Sequence, residues 1–153
     1  MTQQLLDYCR GELVNGHVKR GHPFRYFTLA TISEGKPRQR TVVLRKLLPD
    51  FTVLFYTDSR SQKVQDISRN NNVSALFYHP KKLFQVKLEG QAKIITDPEV
   101  LNSYWKNIPD ASRKDYITSL APSSNLNNPD QVTFDENRSN FTAITIIPEI
   151  IEC

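Results

Sequence analysis

Glycine is scarce in this 153-residue chain, with five residues at positions 11, 16, 21, 35 and 90. They form neither a dinucleotide fingerprint nor a P-loop, which excludes a nucleotide cradle of the glycine-rich kind. Cysteine is scarcer still: Cys9 and Cys153 lie at the two ends and suggest no disulfide framework. The three histidines, His17, His22 and His79, have no metal-ligand spacing with one another or with the cysteines. There is no G-x-S-x-G elbow, and neither a carboxylate pair nor a thiol nucleophile stands out. No apolar run approaches the roughly 20 residues that span a bilayer. The start, MTQQLLDYCR, lacks the charged, apolar and small-residue parts of a signal peptide. These absences describe a soluble cytoplasmic protein without a membrane partner, folded as one domain over residues 1–153, whose chemistry must be borrowed from a cofactor.

Hydrophobic residues make up 39% and charged residues 24%, enough for a real core. The net charge of +4 and pI near 9.1 permit an anionic partner without demanding one. A nucleic-acid binder would interleave exposed aromatics with concentrated cations. Here Phe55, Phe77 and Phe84 sit in apolar strands and read as core, so no nucleic-acid partner is expected.

The periodicity predicts an N-terminal amphipathic helix over Gln3 to Lys19, stopped by Gly21, His22 and Pro23. Strands follow over Phe24 to Ser33, Arg38 to Leu48 and Phe51 to Thr57, joined by turns as a meander. Ser61 can cap a short helix with Val64 and Ile67 on its buried face. Two more strands cover Val73 to His79 and Leu83 to Ile95, and Gly90 marks a bulge or bend in the second. Asp97 and Pro98 open a helix, another covers Ser112 to Leu120, and Asp130 to Asn140 can be helical. Phe141 to Pro148 closes the chain as a strand. Short strands in hairpins with peripheral helices make the fold mainly β, a small antiparallel barrel.

The stretch FYTDSRSQKVQDI, Phe55 to Ile67, turns from strand to helix through hydroxyls, amides and cations with no glycine. Arg40 and Arg45 bracket TVVL in the preceding strand. If these strands pair, two cations, the Thr57 and Ser61 hydroxyls, Lys63 and the free N–H groups of a helix start converge on a site suited to a phosphate dianion. The same residues also suit an ordinary solvated surface, and spacing alone leaves both readings open.

The segments RTVVLRKL, FYTDSRSQK, LFQVKLEGQA and YWKNIPDAS occur in an order and at intervals that resemble the pyridoxamine 5'-phosphate oxidase-like family. HPFRYFTLATISEGKPRQR is similar to the strand pair before that family's first cofactor motif, and the resemblance runs from about Gly21 to Ser124. It implies an FMN-binding split β-barrel, a homodimer with FMN at the interface, and oxidoreductase chemistry on a small-molecule substrate. The run Arg40, Thr41, Val42, Val43, Leu44 and Arg45 matches the strand that gives an arginine to the FMN phosphate and backbone groups to the isoalloxazine edge. Tyr56 and Thr57 match a cofactor-binding pair, Ser61 the helix-opening serine, and Lys63 a phosphate-binding lysine. Gln85 matches a glutamine that bonds the cofactor, and it is expected to be a buried amide needing partners. Arg45, Tyr104 and Ser112 match substrate positions.

The chain also departs from the pattern. Gln62 stands where the family often has arginine, Ile108 where it has a substrate-binding arginine, and Ala121 or Pro122 where it has a glutamine. Authentic oxidases continue into a segment with tryptophan, arginine and histidine, while this sequence ends at Cys153. The resemblance implies an FMN-dependent oxidoreductase acting on an unidentified small molecule, with Ile108 arguing against pyridoxamine 5'-phosphate; the alternative is a non-catalytic FMN- or haem-binding protein of the same fold.

Overall fold

A computed structural model describes residues 1–125, 133 and 139–153. Helix α1 spans Gln3–Val18, and a 3-10 turn over Pro23–Arg25 leads into strand β1, Tyr26–Ser33. Strands β2 (Lys36–Val43), β3 (Lys46–Leu47) and β4 (Val53–Asp58) precede helix α2 (Gln62–Arg69). Strands β5 (Asn72–His79) and β6 (Phe84–Ile95), helices α3 (Pro98–Lys106) and α4 (Asp110–Arg113), and strand β7 (Phe141–Glu152) complete the order. No described helix is long and apolar enough to cross a membrane.

The seven strands form one sheet in the order β2-β1-β5-β6-β7-β4-β3, with every pairing antiparallel. The edge strands β2 and β3 are consecutive in sequence, separated only by Leu44 and Arg45. The three Cα–Cα steps from Val43 to Lys46 reach about 11 Å at most, so the sheet must curl until its edges come close. The amide of Leu44 donates to the Arg25 carbonyl on one edge at 2.8 Å, and that of Arg45 donates to Leu54 on the other at 2.9 Å. The barrel is split, and the sheet does not close. The expected strand from Arg38 to Leu48 is therefore two strands on opposite edges, and the simple meander fails there. Sequence pattern cannot show this, because apolar alternation continues smoothly through the crossing.

Phe27, Phe55 and Phe77 fill the interior with Leu29, Leu88 and Ile144, each at most 2% exposed. Phe27 stacks on Phe77 at 4.6 Å between centroids and meets Phe55 edge-on at 5.8 Å. Helix α1 caps the lower end through Cys9 and Leu13, both fully buried. A Cβ at Gly16 would lie 2.8 Å from the Phe24 carbonyl oxygen, so glycine lets α1 approach that closely. Cys9 is bonded to Cys153, with Cα atoms 6.8 Å apart and a sequence separation of 144. The expectation of no disulfide is overturned, because Cys153, the residue just past β7, lies against α1 and long sequence separation is not distance.

The other expectations divide. The N-terminal helix, the strands at 72–79 and 84–95, and the helix opened by Asp97 are present. The helix expected over Ser112 to Leu120 instead starts earlier, as the single turn of α4 followed by a 3-10 turn over Lys114–Tyr116. The helix considered over Asp130 to Asn140 lies almost entirely outside the described residues. Gly90 sits where the β6–β7 register shifts, between Glu89 and Gly90. A Cβ there would fall 2.1 Å from the Ile147 carbonyl oxygen. Gly90→Ala should destabilise the fold by about 2–3 kcal/mol, the cost of overpacking against backbone. In thermal melts this should lower the midpoint by roughly 4–12 °C; an unchanged midpoint would contradict the close approach.

Candidate phosphate and flavin site

The turn after β4 places the polar corner. Asp58 is 3% exposed, and its Oδ1 accepts the Arg60 amide at 2.8 Å while its carbonyl accepts the Ser61 amide at 3.1 Å. These bonds fold the chain sharply into α2. Ser61 occupies the N-cap position, but its hydroxyl caps nothing. Instead Ser61 Oγ lies 3.3 Å from Thr57 Oγ1, which accepts from Lys63 Nζ at 3.0 Å. The first amides of α2 have no helical carbonyl ahead of them. Thr57, Ser61, Lys63 and the helix start thus offer donors at one place, and the uncapped serine is the structural correction to its expected role.

That place opens into a groove of about 560 Å³, bounded by β2 with Arg38 and Arg40, by the β1–β2 turn, by Ser61 to Lys63, and by Pro122 and Ser123. Burial depresses the pKa of Lys63, and the nearby Arg40 charge depresses it further. An anion entering the groove would pull the Lys63 pKa back up against both effects. Arg40 lies on the wall with its guanidinium turned inward, donating to Thr31 Oγ1 at 2.6 Å and to Asp66 Oδ2 at 3.2 Å. Asp66 is 1% exposed. Burial alone would raise its pKa, but hydrogen bonds from Gln62, Thr31 and Ser33 and the Arg40 charge bring it below the usual range. Gln62 donates to its other oxygen at 2.9 Å.

The remaining candidates lie elsewhere. Along β2 the side chains alternate: Val42 and Leu44 enter the core, while Thr41 and Val43 face outward. Along β4, Tyr56 points away from Thr57 and joins a cluster, 5.6 Å from Tyr104 and 5.0 Å from Phe141 between centroids. The Arg45 guanidinium lies 5.4 Å from the Tyr56 ring, and its buried Nε has no partner among the described residues. Burial raises the pKa of Tyr56, and Tyr104 adds to the rise. Ser112 is half-buried in α4 and makes no side-chain hydrogen bond to Arg45 or Tyr104 among the described residues. Ile108 is 5% exposed and packs as core. Gln85 is exposed on the outer face of β6, opposite Tyr78 on β5. The expectation of a buried amide fails because β6 alternates Val86 and Leu88 inward, leaving residue 85 outside.

Sequence reading missed two residues. Asp66 was detectable as the residue one helical turn beyond Gln62. Arg60 was not: its guanidinium reaches the carbonyls of Thr118, Ser119 and Leu120, a contact across 58 to 60 residues.

A second cluster sits at the foot of the barrel, where one ligand atom from each of Glu12, His22 and His79 lies within 4.8 Å of the others. Its hydrogen bonds argue against a metal. Nδ1 of His22 accepts the Phe24 amide at 3.1 Å, and Nδ1 of His79 accepts the Lys82 amide at 3.4 Å. Neutral rings so bonded carry their protons on Nε2, the reverse of a metal-ligating histidine. Lys82 Nζ donates to Glu12 at 2.6 Å, and the group ties α1 to the turn before β1 and to the β5–β6 hairpin.

A curled antiparallel sheet that does not close, with a polar groove at one end, is the architecture of a split barrel. A sequence model described as "Pyridoxamine 5'-phosphate oxidase, FMN-binding domain" matches residues 10–96. The chain belongs to this family. It is 33% identical over 148 residues to a pyridoxine/pyridoxamine 5'-phosphate oxidase of Psychrobacter cryohalolentis, covering 95% of this chain and 66% of that protein. A Leptospira interrogans enzyme of the same name is 33% identical over 116 residues, 75% of this chain and 52% of its own. The chain thus spans between half and two thirds of these relatives. Among solved structures, a pyridoxamine 5'-phosphate oxidase-related, FMN-binding protein of Nostoc punctiforme superposes with TM-score 0.76 at 21% identity, covering 99% of this chain and 84% of its own. PhzG of Burkholderia lata, solved with tetrahydrophenazine-1-carboxylic acid, gives 0.74 at 17%, covering 97% and 78%. These two likenesses concern the fold.

The foot cluster has a pH signature. Burial lowers the His22 pKa, with Glu12 pulling it partly back up; burial and Lys46 lower His17. Both histidines resist protonation when folded and accept it at the ordinary value near 6.5 when unfolded. Their contribution is complete above that value and is lost as pH falls through the lower folded pKa. Glu12 is also lowered: burial raises it, but the Lys82 hydrogen bond and charge outweigh this, so its contribution fades only below about 4.5. Melting temperature should therefore drop in two stages on acidification. His22→Asn keeps an acceptor for the Phe24 amide and should shrink the first stage; a melt-against-pH curve parallel to wild type would remove His22 from this account.

Proposed function

We propose that the groove holds the phosphate of FMN and that the protein is an FMN-dependent oxidoreductase acting on a small molecule. The observation that carries this reading is the half-buried Lys63 ammonium beside Thr57 and the uncapped Ser61, donors that the protein itself leaves largely unused. Lys63 and Ser61 would bind the phosphate, the first amides of α2 would complete the cradle, and the outward backbone near Val43 would face the ring. FMN supplies two-electron chemistry at its N5. Arg40 would contribute charge from the wall, since its hydrogen bonds already go to Thr31 and Asp66. The patch of Arg45, Tyr56 and Tyr104 is the candidate substrate side, with Ser112 carried over from the family resemblance alone. Because Ile108 offers no cation, pyridoxamine 5'-phosphate is disfavoured as the substrate.

Lys63→Ala should weaken FMN binding ten- to a hundred-fold, the loss of a charge-assisted bond worth about 1.5–3 kcal/mol. Riboflavin should bind wild type poorly and ignore the substitution. Fluorescence-quenching titrations read both, and equal affinity for FMN and riboflavin would defeat the assignment. The FMN-loaded protein should turn over a reductant and acceptor steadily while making little pyridoxal 5'-phosphate; no turnover with any pair would favour the non-catalytic reading.

A homodimer belongs to the same proposal. On the outer face, Val43 pairs with Tyr26, that register continues to Tyr78, and Tyr78 pairs with Gln85. Three strand spacings separate Gln85 from Val43, roughly 14 Å, beyond the reach of a glutamine side chain. A second protomer is the way to bring Gln85 to a flavin held near Val43. The face between them is apolar for an outer surface, with Tyr26 57%, Tyr78 49% and Leu76 37% exposed. A neighbouring groove of about 340 Å³ beside Ile32 and Ile150 extends it. Light scattering at micromolar concentration should give a dimer that FMN strengthens; a monomer fully loaded with FMN would rule out the shared site.

A further inference from the structure

Behind the Arg40 wall of the groove lies a carboxylate for which a phosphate site has no direct use. Asp66 is almost fully buried on α2, and its Oδ2 accepts both Thr31 Oγ1 at 2.8 Å and Arg40 at 3.2 Å. Arg40 spends its other terminal nitrogen on Thr31 Oγ1, Arg38 O at 3.2 Å and Leu29 O at 3.4 Å. The guanidinium charge is thus paired and its Nη1 hydrogens are engaged before any ligand arrives, while 22% of the side chain remains exposed at the wall. Gln62, at the lip, is bound to the same carboxylate and adds no charge.

We infer that Asp66 is an internal competitor for Arg40 that sets the charge class the groove accepts, holding down affinity for a doubly charged phosphate monoester relative to a singly charged phosphoryl group. This rests on the groove being the phosphate site. The physical reason is Coulombic: at fixed distance a carboxylate repels a dianion twice as strongly as a monoanion. A phosphate that claims an Arg40 hydrogen must also approach Asp66, and among the described residues lining the groove Lys63 is the half-buried cation with no carboxylate bonded to it.

The test compares FMN, its phosphate methyl ester and riboflavin on wild type, Asp66→Asn and Asp66→Ser. Asparagine keeps the shape without the charge, and serine keeps a hydroxyl for Thr31. Removing the charge should tighten FMN roughly ten-fold and the singly charged ester roughly three-fold, the square root expected of half the charge, with riboflavin unchanged. A gain of affinity cannot come from a damaged fold, and melting curves confirm that each variant is folded. If both variants bind FMN no better than wild type while Lys63→Ala still weakens it, the competitor role is overturned and the phosphate site stands. If neither wild type nor variants prefer FMN to riboflavin, both fall. Equal gains for FMN and its ester would overturn the charge discrimination.

Discussion

The passage of the chain from one edge of the sheet to the other in two residues, Leu44 and Arg45, is the constraint on which the remaining structure depends. It forces curvature on seven strands, and curvature creates an enclosed apolar interior with two open ends. One end takes α1 as its plug. At the other, β2 and α2 face each other across the remaining gap, and the polar corner after β4 lines it. The groove is therefore what a barrel leaves when its sheet curls without closing.

The chemistry at the gap follows from strand alternation. Thr57 and Tyr56 are neighbours in sequence yet belong to different sites, because successive side chains on β4 leave opposite faces. The same rule sends Arg40 and Val42 toward the interior and Thr41 and Val43 outward. Adjacent residues therefore line the polar groove, the hydrophobic core and the outer face at once, and a substitution at one position perturbs the others only through the backbone.

Much of this was legible in the sequence because it is local. The N-terminal helix, the strands and the glycine-marked bulge each announce themselves within a dozen residues. The corner from Phe55 to Ile67 showed its hydroxyls and cations directly, and the family resemblance brought them together. What escaped was long-range or orientational. Periodicity runs unbroken through Leu44, so it could not reveal the split of one strand into two. Gln85 sits in an apolar run, but its direction depends on which alternate residues the core selects. The Cys9–Cys153 bond and the inward turn of Arg40 toward Asp66 depend on neighbours supplied by distant segments. The candidate cofactor groups were readable by type; their state of pairing was not.

Arg60 forms one such distant contact, gripping three consecutive carbonyls of the segment from Thr118 to Leu120 while Asp58 holds it from behind. A protease must draw a substrate out as an extended strand, and this segment cannot be drawn out while its carbonyls share one guanidinium. Cleavage there requires the corner before α2 to let go first. Nicking in this segment is thus coupled to opening of the groove, and a ligand that steadies the corner would shield a peptide bond it never touches.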